Sequence, residues 1–293
     1  VTTHIRGVTE MTLAMTISGT IGWFVLASAQ PAIDVVFWRC VFAAIALMLY
    51  CYVTGAFSAR VTGRQFMIAI LGGIAIVLNW LFLFASYRYA SVSISTAIYN
   101  VQPFILLGFG VFIFGEKFSL AKVGWLAVAF AGLLLILLER PTADYIGGSY
   151  AWGVTLVLAA ATGWAIAAAT TKYLSEVPPQ LIALIHVVTG IFILLPFADL
   201  TNLPSGGRTW AMLIILGVFH TGLMYALMYS AVQRLPTHLQ GTLTFINPVI
   251  AILTDVFALG HILHWIQILG VVVILISAAG TTVLPRLMAR RSA

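Results

Sequence analysis

Polar punctuation divides this chain into about ten apolar runs. Charged and turn-forming residues separate stretches near 10–29, 35–54, 66–87, 93–113, 120–138, 150–172, 180–198, 210–231, 239–259 and 265–284. Each approaches the roughly 20 residues that a helix needs to cross a hydrocarbon core. The pattern predicts an all-α polytopic membrane protein with ten transmembrane helices. Almost nothing is left for loops. No connection is long enough to fold into a separate catalytic or nucleic-acid-binding domain, so any activity must lie within or between the helices.

Composition agrees with the hydropathy pattern: 62% of residues are hydrophobic and 8% charged, too few charges to cover a water-soluble globule of 293 residues. The net charge of +6 then reads as a topology signal. With a cytoplasmic N-terminus, inside segments hold Arg6, Arg60, Arg64, Lys117, Lys122, Lys172, Arg234, Arg286, Arg290 and Arg291, and outside segments hold Arg88, Arg140 and Arg208. That bias predicts N- and C-termini in the cytoplasm, with the lipid bilayer and not a nucleic acid as the partner of the basic charge. The first run ends in ASAQPA, Ala27 to Ala32, which resembles a signal-peptidase site. Cleavage is not expected, because GTIGWFVLA at Gly19 recurs as AATGWAIAA at Ala160. Cys40 and Cys51 share the second run, offer no disulfide framework across loops, and read as packing residues.

An offset of about 145 residues aligns Gly72 with Gly217, Pro103 with Pro248, Val111 and Phe112 with Val256 and Phe257, and Gly115 with Gly260. The Trp23 and Trp164 pair needs an offset nearer 141, a drift that a loop-length difference explains. Two units follow, 1–140 and 141–293. Each holds five spans, and an odd number makes the second unit enter the membrane from the opposite side. Two inverted five-helix repeats can exchange conformations, which is a physical route to alternating access.

The stretch FLFASYRYASVSISTAIYNVQPFILLGFGVFIFGEKFSLAKVGWLAVAFAGLLLIL, Phe82 to Leu137, resembles the second part of an EamA-type repeat of the drug/metabolite transporter superfamily. The shared features are a small-residue turn, a Pro in the fourth span and Gly-Glu at the next loop. The similarity extends over nearly the whole chain and is greatest to the YddG-type amino-acid exporters. It implies ten helices in two inverted repeats, a bacterial inner membrane and amino acids as the small-molecule substrate. The second repeat departs from the pattern, with His261 where the first has Glu116.

Pro inside a helix removes one hydrogen bond and crowds the carbonyl a turn earlier, so Pro103 and Pro248 are expected to break their helices near residues 99 and 244. Beside the breaks stand Asn100, Gln102, Thr244 and Asn247, placed either to repair the backbone or to meet a ligand's amino and carboxylate groups. The third and eighth spans, expected as neighbours, carry Asn79 in one and His220, Thr221 and Tyr225 in the other. Midplane polarity usually faces a bundle interior or a wet cavity, so Asn79 and His220 are candidates for the pathway. His220 can take a coupling proton or simply bond a neighbouring helix.

Trp23, Trp164, Tyr99 and Tyr225 fall inside spans and suit an adaptable apolar wall, aided by Met224 and Met228. For Trp23 and Trp164, packing is an equal alternative. Arg39 and Asp255 are the intramembrane charges, read as structural, with Asp34 also in reach of Arg39; His186 reads as packing.

No His-Glu-x-x-His pair, Gly-x-Ser-x-Gly turn or phosphate loop is present, so neither an enzyme nor a self-powered pump is expected, and no cofactor or metal site. His261 and His264 sit in a short loop without an acidic or thiol partner. The leading expectation is a secondary carrier that exports amino acids, aromatic ones included, or similar zwitterions. Its substrate-binding residues would be Trp23, Asn79, Tyr99, Asn100, Trp164, His220 and Tyr225. Rivals are a nucleotide-sugar or drug exporter of the same superfamily, and a non-transporting scaffold subunit. The oligomeric state is open, a monomer included.

Overall fold

The computed structural model describes residues 2–86, 89, 95, 98–138, 150–259 and 265–282. Its regular elements there are helical. In chain order they are α1 (Thr2–Gly19), α2 (Ile21–Ser28), α3 (Ala32–Val53), α4 (Gly63–Ser86), α5 (Gln102–Phe112), α6 (Leu120–Leu138), α7 (Tyr150–Tyr173) and α8 (Pro179–Leu194). Then come α9 (Gly207–Gly217), a π-helical segment (Val218–Leu223), α10 (Met224–Arg234), α11 (Thr237–Thr244), α12 (Ile246–Leu259) and α13 (Trp265–Thr282).

Among the described residues, four stretches are long and apolar enough to cross a membrane by themselves: Ile33–Val53, Gly63–Leu83, Tyr150–Tyr173 and the continuous α9–π–α10 rod, Gly207–Arg234. Proline marks where several helices start. Pro31 and Pro178 precede α3 and α8, and Pro236 precedes α11. A ring with fixed φ and no N–H fits the first helical turn, where that donor would lack an intrahelical partner.

Lipid-exposed surface and interior differ in kind. Phe112 and Phe257 are 89% and 84% exposed, an arrangement stable in acyl chains and costly in water. Inside, one apolar core gathers Phe37, Leu47, Ile76, Trp164, Ile182 and Tyr229. A second joins Leu126, Leu133, Phe245 and Ile274 around α6, α11 and α13. Lipid tails give apolar side chains no reason to prefer protein neighbours, so close backbone approach has to hold the helices together. At the α6–α13 crossing a Cβ on Gly132 would lie 2.8 Å from the Gly270 carbonyl oxygen, and one on Gly270 would lie 2.5 Å from that of Gly132. Only glycine fits on either side.

The third and eighth spans do not pack side by side. α4 lies along α7, and α10 lies against α1. The two face each other instead through the rings of Trp80 and Tyr225, whose centroids are 6.1 Å apart. The two rings meet edge to face, and both line the cavity described below.

Candidate functional site

Both proline-bearing spans are interrupted. Helical residues Ile98 and Tyr99 give way to a turn at Asn100 and Val101, after which α5 begins with Pro103 in its first turn. In the second half α11 ends at Thr244, Phe245 forms the joint, and Pro248 lies in the first turn of α12. Tighter bonds close the gaps: Phe104 N–H donates to Val101 O at 2.9 Å and Phe245 N–H to Thr242 O at 3.3 Å. Thr244 returns its hydroxyl to Gln240 O at 2.8 Å, and Asn247 Nδ2 donates to Ser18 Oγ at 2.7 Å. These two side chains repair and brace the backbone.

Beside the breaks lies a cavity of about 280 Å³ lined from both halves of the chain. Asn79, Tyr99, Asn100, Gln102, Trp164 and Tyr225 all contribute, and so do Arg39, Trp80, Met224, Met228, Thr244 and Asn247. Trp23 and His220 lie outside that lining. The reason for His220 is the π turn, which inserts an extra residue and rotates the helix before it relative to the helix after it. Met224, Tyr225 and Met228, beyond the π segment, face the cavity, while His220 points to the bend between α1 and α2. There its Nε2 is 2.8 Å from Thr20 Oγ1, and its ring packs on Phe24 at 4.6 Å. Ile215 O, 3.3 Å from Nδ1, can only accept. Thr20 Oγ1 also lies 2.8 Å from Ile17 O, so in the Nδ1–H tautomer the hydroxyl's single proton is shared between that carbonyl and Nε2. Trp23 sits beside Phe24, edge to face at 4.8 Å.

The polar chemistry of the cavity is asymmetric. Asn79 Nδ2 donates to Ala160 O at 2.7 Å and to Tyr99 Oη at 3.0 Å. A backbone carbonyl cannot donate, which fixes the amide orientation and leaves Asn79 Oδ1 buried without a partner. Gln102 Oε1 is buried and unpartnered as well. A cation comes from Arg39, 6% exposed, whose Nε donates to Thr221 Oγ1 at 3.1 Å and whose guanidinium lies 5.6 Å from the Trp80 ring centroid. Asp34 is not its partner; that carboxylate accepts the Asp199 N–H at 2.9 Å. The Asp255 side chain, like His261 and His264, lies outside the described residues. No aspartate or glutamate is among the lining residues described.

Sequence reasoning passed over Trp80 and assigned Arg39 to structure. Both sit in apolar helices where hydropathy cannot say which way a side chain turns. His186, read as packing, is buried and its Nδ1 meets Tyr229 Oη at 2.7 Å. Cys40 and Cys51 are buried free thiols.

One end of the bundle is tied by two polar clusters. Glu116 takes the Thr237 N–H at 3.0 Å and the Thr237 hydroxyl at 2.7 Å, and pairs with Lys172 at 3.1 Å. Burial pushes the Glu116 carboxyl up, but the Thr237 donors and the Lys172 ammonium together hold it below the ordinary carboxylate value. Glu10 binds Arg6 Nε at 2.8 Å, the Ser230 hydroxyl at 2.6 Å and Arg234 at 3.2 Å. At the other end, hydrogen bonds from Asn202 and Thr201 hold Asp199 well below its usual range.

The sequence profile of the EamA-like transporter family matches this chain twice, over residues 6–138 and 151–283. The uncharacterized transporter YxxF of Bacillus subtilis is 29% identical over 94% of this chain and 89% of its own length. The threonine/homoserine exporter RhtA of Salmonella typhimurium is 28% identical over 54% of this chain and 53% of its own. A probable amino-acid metabolite efflux pump of the same species is 24% identical over 66% and 69%. One solved crystal structure superposes with a TM-score of 0.83 at 19% identity, covering 96% of this chain and 98% of that one, a likeness of fold alone.

Proposed function

Since the chain belongs to the EamA-like transporter family of the drug/metabolite transporter superfamily, we propose that it is a secondary carrier exporting amino acids or similar small zwitterions through the cavity beside the paired breaks. The observation that carries this reading is the pairing of groups around that space. Asn79 Oδ1 and Gln102 Oε1 are buried acceptors with no donor, suited to an ammonium, and Arg39 is a buried cation suited to a carboxylate. A zwitterion supplies both. Trp80, Tyr99, Trp164 and Tyr225 give an aromatic wall, and Met224 and Met228 an adaptable one, so side chains of several shapes can be accommodated. A volume of about 280 Å³ sits below the usual span for drug-sized ligands, about 300–1,000 Å³. A nucleotide sugar would need more room and more than one cation. The threonine/homoserine exporter and the amino-acid metabolite efflux pump among its relatives support the same substrate class.

Alternating access rests on ten membrane spans in two inverted units, 1–140 and 141–293, and several features support that arrangement. The packing partners exchange between halves: α4 lies along α7 as α10 lies along α1, α5 touches α7 as α12 touches α1, and α4 meets α8 as α9 meets α3. Gly72 and Gly217, aligned by the offset, each admit the helix opposite, His186 and Thr170 in one case and Phe42 in the other. The inner-membrane location with cytoplasmic termini rests on the charge bias. In that orientation the Glu116 and Glu10 clusters close the cytoplasmic end. The test is counterflow in liposomes with labelled threonine, homoserine, phenylalanine, a nucleotide sugar and a cationic drug. Flux is expected for the amino acids alone; flux of none would favour a scaffold, and flux of the nucleotide sugar would reassign the substrate.

A further inference from the structure

A second cavity, about 490 Å³, opens between α3, the π segment, α10 and the start of α8, away from the paired breaks. α3 packs against the π segment, and the space beyond that contact, between Leu47 of α3 and Ala226 of α10, is the cavity. Its two ends differ in chemistry. One end is apolar, with Ala46, Leu47, Gly222 and Leu223, and Leu223 is 45% exposed at the bundle surface. The other end holds Arg6 and Arg234, which share the single carboxylate of Glu10. Two guanidiniums on one carboxylate leave one positive charge in excess. The Arg6 side chain engages Glu10 through Nε alone and is 67% exposed, so its outer donors face the surroundings.

Length matches the bilayer. From Arg234 back to Gly222 is a dozen helical residues, about 18 Å at 1.5 Å per residue, against about 15 Å for the hydrocarbon of one leaflet. Charge therefore stands where headgroups lie, and the apolar groove runs down to where acyl chains end. A π turn next to a splayed helix pair is what makes the groove.

We infer that this groove binds one anionic phospholipid, its phosphate held by Arg6 and Arg234 and an acyl chain laid between α3 and α10 over Leu223. The lipid would brace the helix pair that parts beyond the π segment. Positively charged pockets between membrane helices attract acidic lipids in this way.

The experiment measures the unfolding midpoint of the full-length protein in neutral detergent. Dioleoyl phosphatidylglycerol, dioleoyl phosphatidylcholine or glycerol 1-phosphate is titrated into the wild type, Arg6→Gln and Leu223→Trp. Arg6→Gln removes headgroup charge at an exposed position, and Leu223→Trp fills the groove from the surface without touching charge. Phosphatidylglycerol is expected to raise the wild-type midpoint by about 5 °C at saturation, phosphatidylcholine to do little, and both variants to lose most of the rise. Equal shifts with the two lipids, a full shift in either variant, or the same shift with glycerol 1-phosphate would overturn the inference. The outcome does not depend on any flux measurement, so it stands apart from the transport reading.

Discussion

Asn79 and Ala160 join the third and sixth spans through one bond, Asn79 Nδ2 to the Ala160 carbonyl at 2.7 Å, and that bond fixes which way the Asn79 amide is turned. It leaves the amide oxygen without a donor of its own, on a residue that lines the cavity. Asn79→Leu keeps the volume and removes the acceptor. Loss of one hydrogen bond to a charged partner is worth about 1.5–3 kcal/mol, so amino-acid affinity in counterflow should fall roughly 10- to 150-fold. Tyr99→Phe, which leaves the Ala160 bond in place, should cost less than tenfold.

In the proposed site Arg39 is the group that meets the substrate carboxylate. Arg39→Gln should abolish saturable amino-acid counterflow at concentrations that saturate the wild type, while Arg39→Lys should restore part of it, because the cation persists without the planar fork. The same pair separates roles: if Arg39 only bonded Thr221, Gln would serve as well as Lys.

His220 sits at the bend of the first span, outside the cavity lining, and is expected not to carry a coupling proton. Replacing Thr20 by Val removes the hydroxyl 2.8 Å from Nε2 and should cost about 1 kcal/mol of stability, read as a lower unfolding midpoint. His220→Gln should leave the dependence of flux on an imposed pH gradient unchanged. An altered gradient dependence in that variant would return His220 to the transport cycle.

Glu116 makes the closed end sensitive to acid. Its carboxyl lies below the ordinary value in the folded protein, so its contribution is complete above the unfolded carboxylate pKa of about 4.3 and is lost as pH falls through the lower folded value. Glu116→Gln should lower the neutral-pH midpoint by an amount equivalent to about 1 kcal/mol, the pair with Lys172 being partly screened. The variant's midpoint should also fall less steeply with acid than that of the wild type.

Gly72→Ala and Gly217→Ala test the close helix approaches. A Cβ on Gly72 would meet Thr170 Oγ1 at 2.5 Å and His186 Nε2 at 2.6 Å, side-chain ends that can shift. One on Gly217 would meet the Phe42 Cβ and, at 3.1 Å, the Arg39 carbonyl, which cannot. Gly217→Ala should be the more damaging, near the upper part of the range of about 1–3 kcal/mol for overpacking. Unfolding midpoints of the two variants settle the order.

Much of this was legible in the chain because its signals are local. Hydropathy reports spans, and proline reports where a helix cannot run on, so the interruptions before Pro103 and within the ninth span fall near residues 99 and 244. Rotation about a helix axis is not local. Within one apolar span nothing marks that Arg39 and Trp80 turn to the cavity, and a π turn at Val218–Leu223 sends His220 one way and Tyr225 another. The Trp pair shows the same limit: Trp164 lies on the straight helix α7 that Asn79 clasps, while Trp23 follows a bend at Thr20, so equal sequence contexts end in different surroundings.

The most direct test removes one charge from the substrate at a time. Unlabelled amino acid, its decarboxylated amine and its deaminated acid would compete with labelled amino acid for counterflow in proteoliposomes. If Arg39 reads the carboxylate and Asn79 with Gln102 reads the ammonium, both one-charge analogues should compete at least about 10-fold more weakly than the amino acid. Equal competition by either analogue would contradict the assignment of a zwitterion site to this cavity.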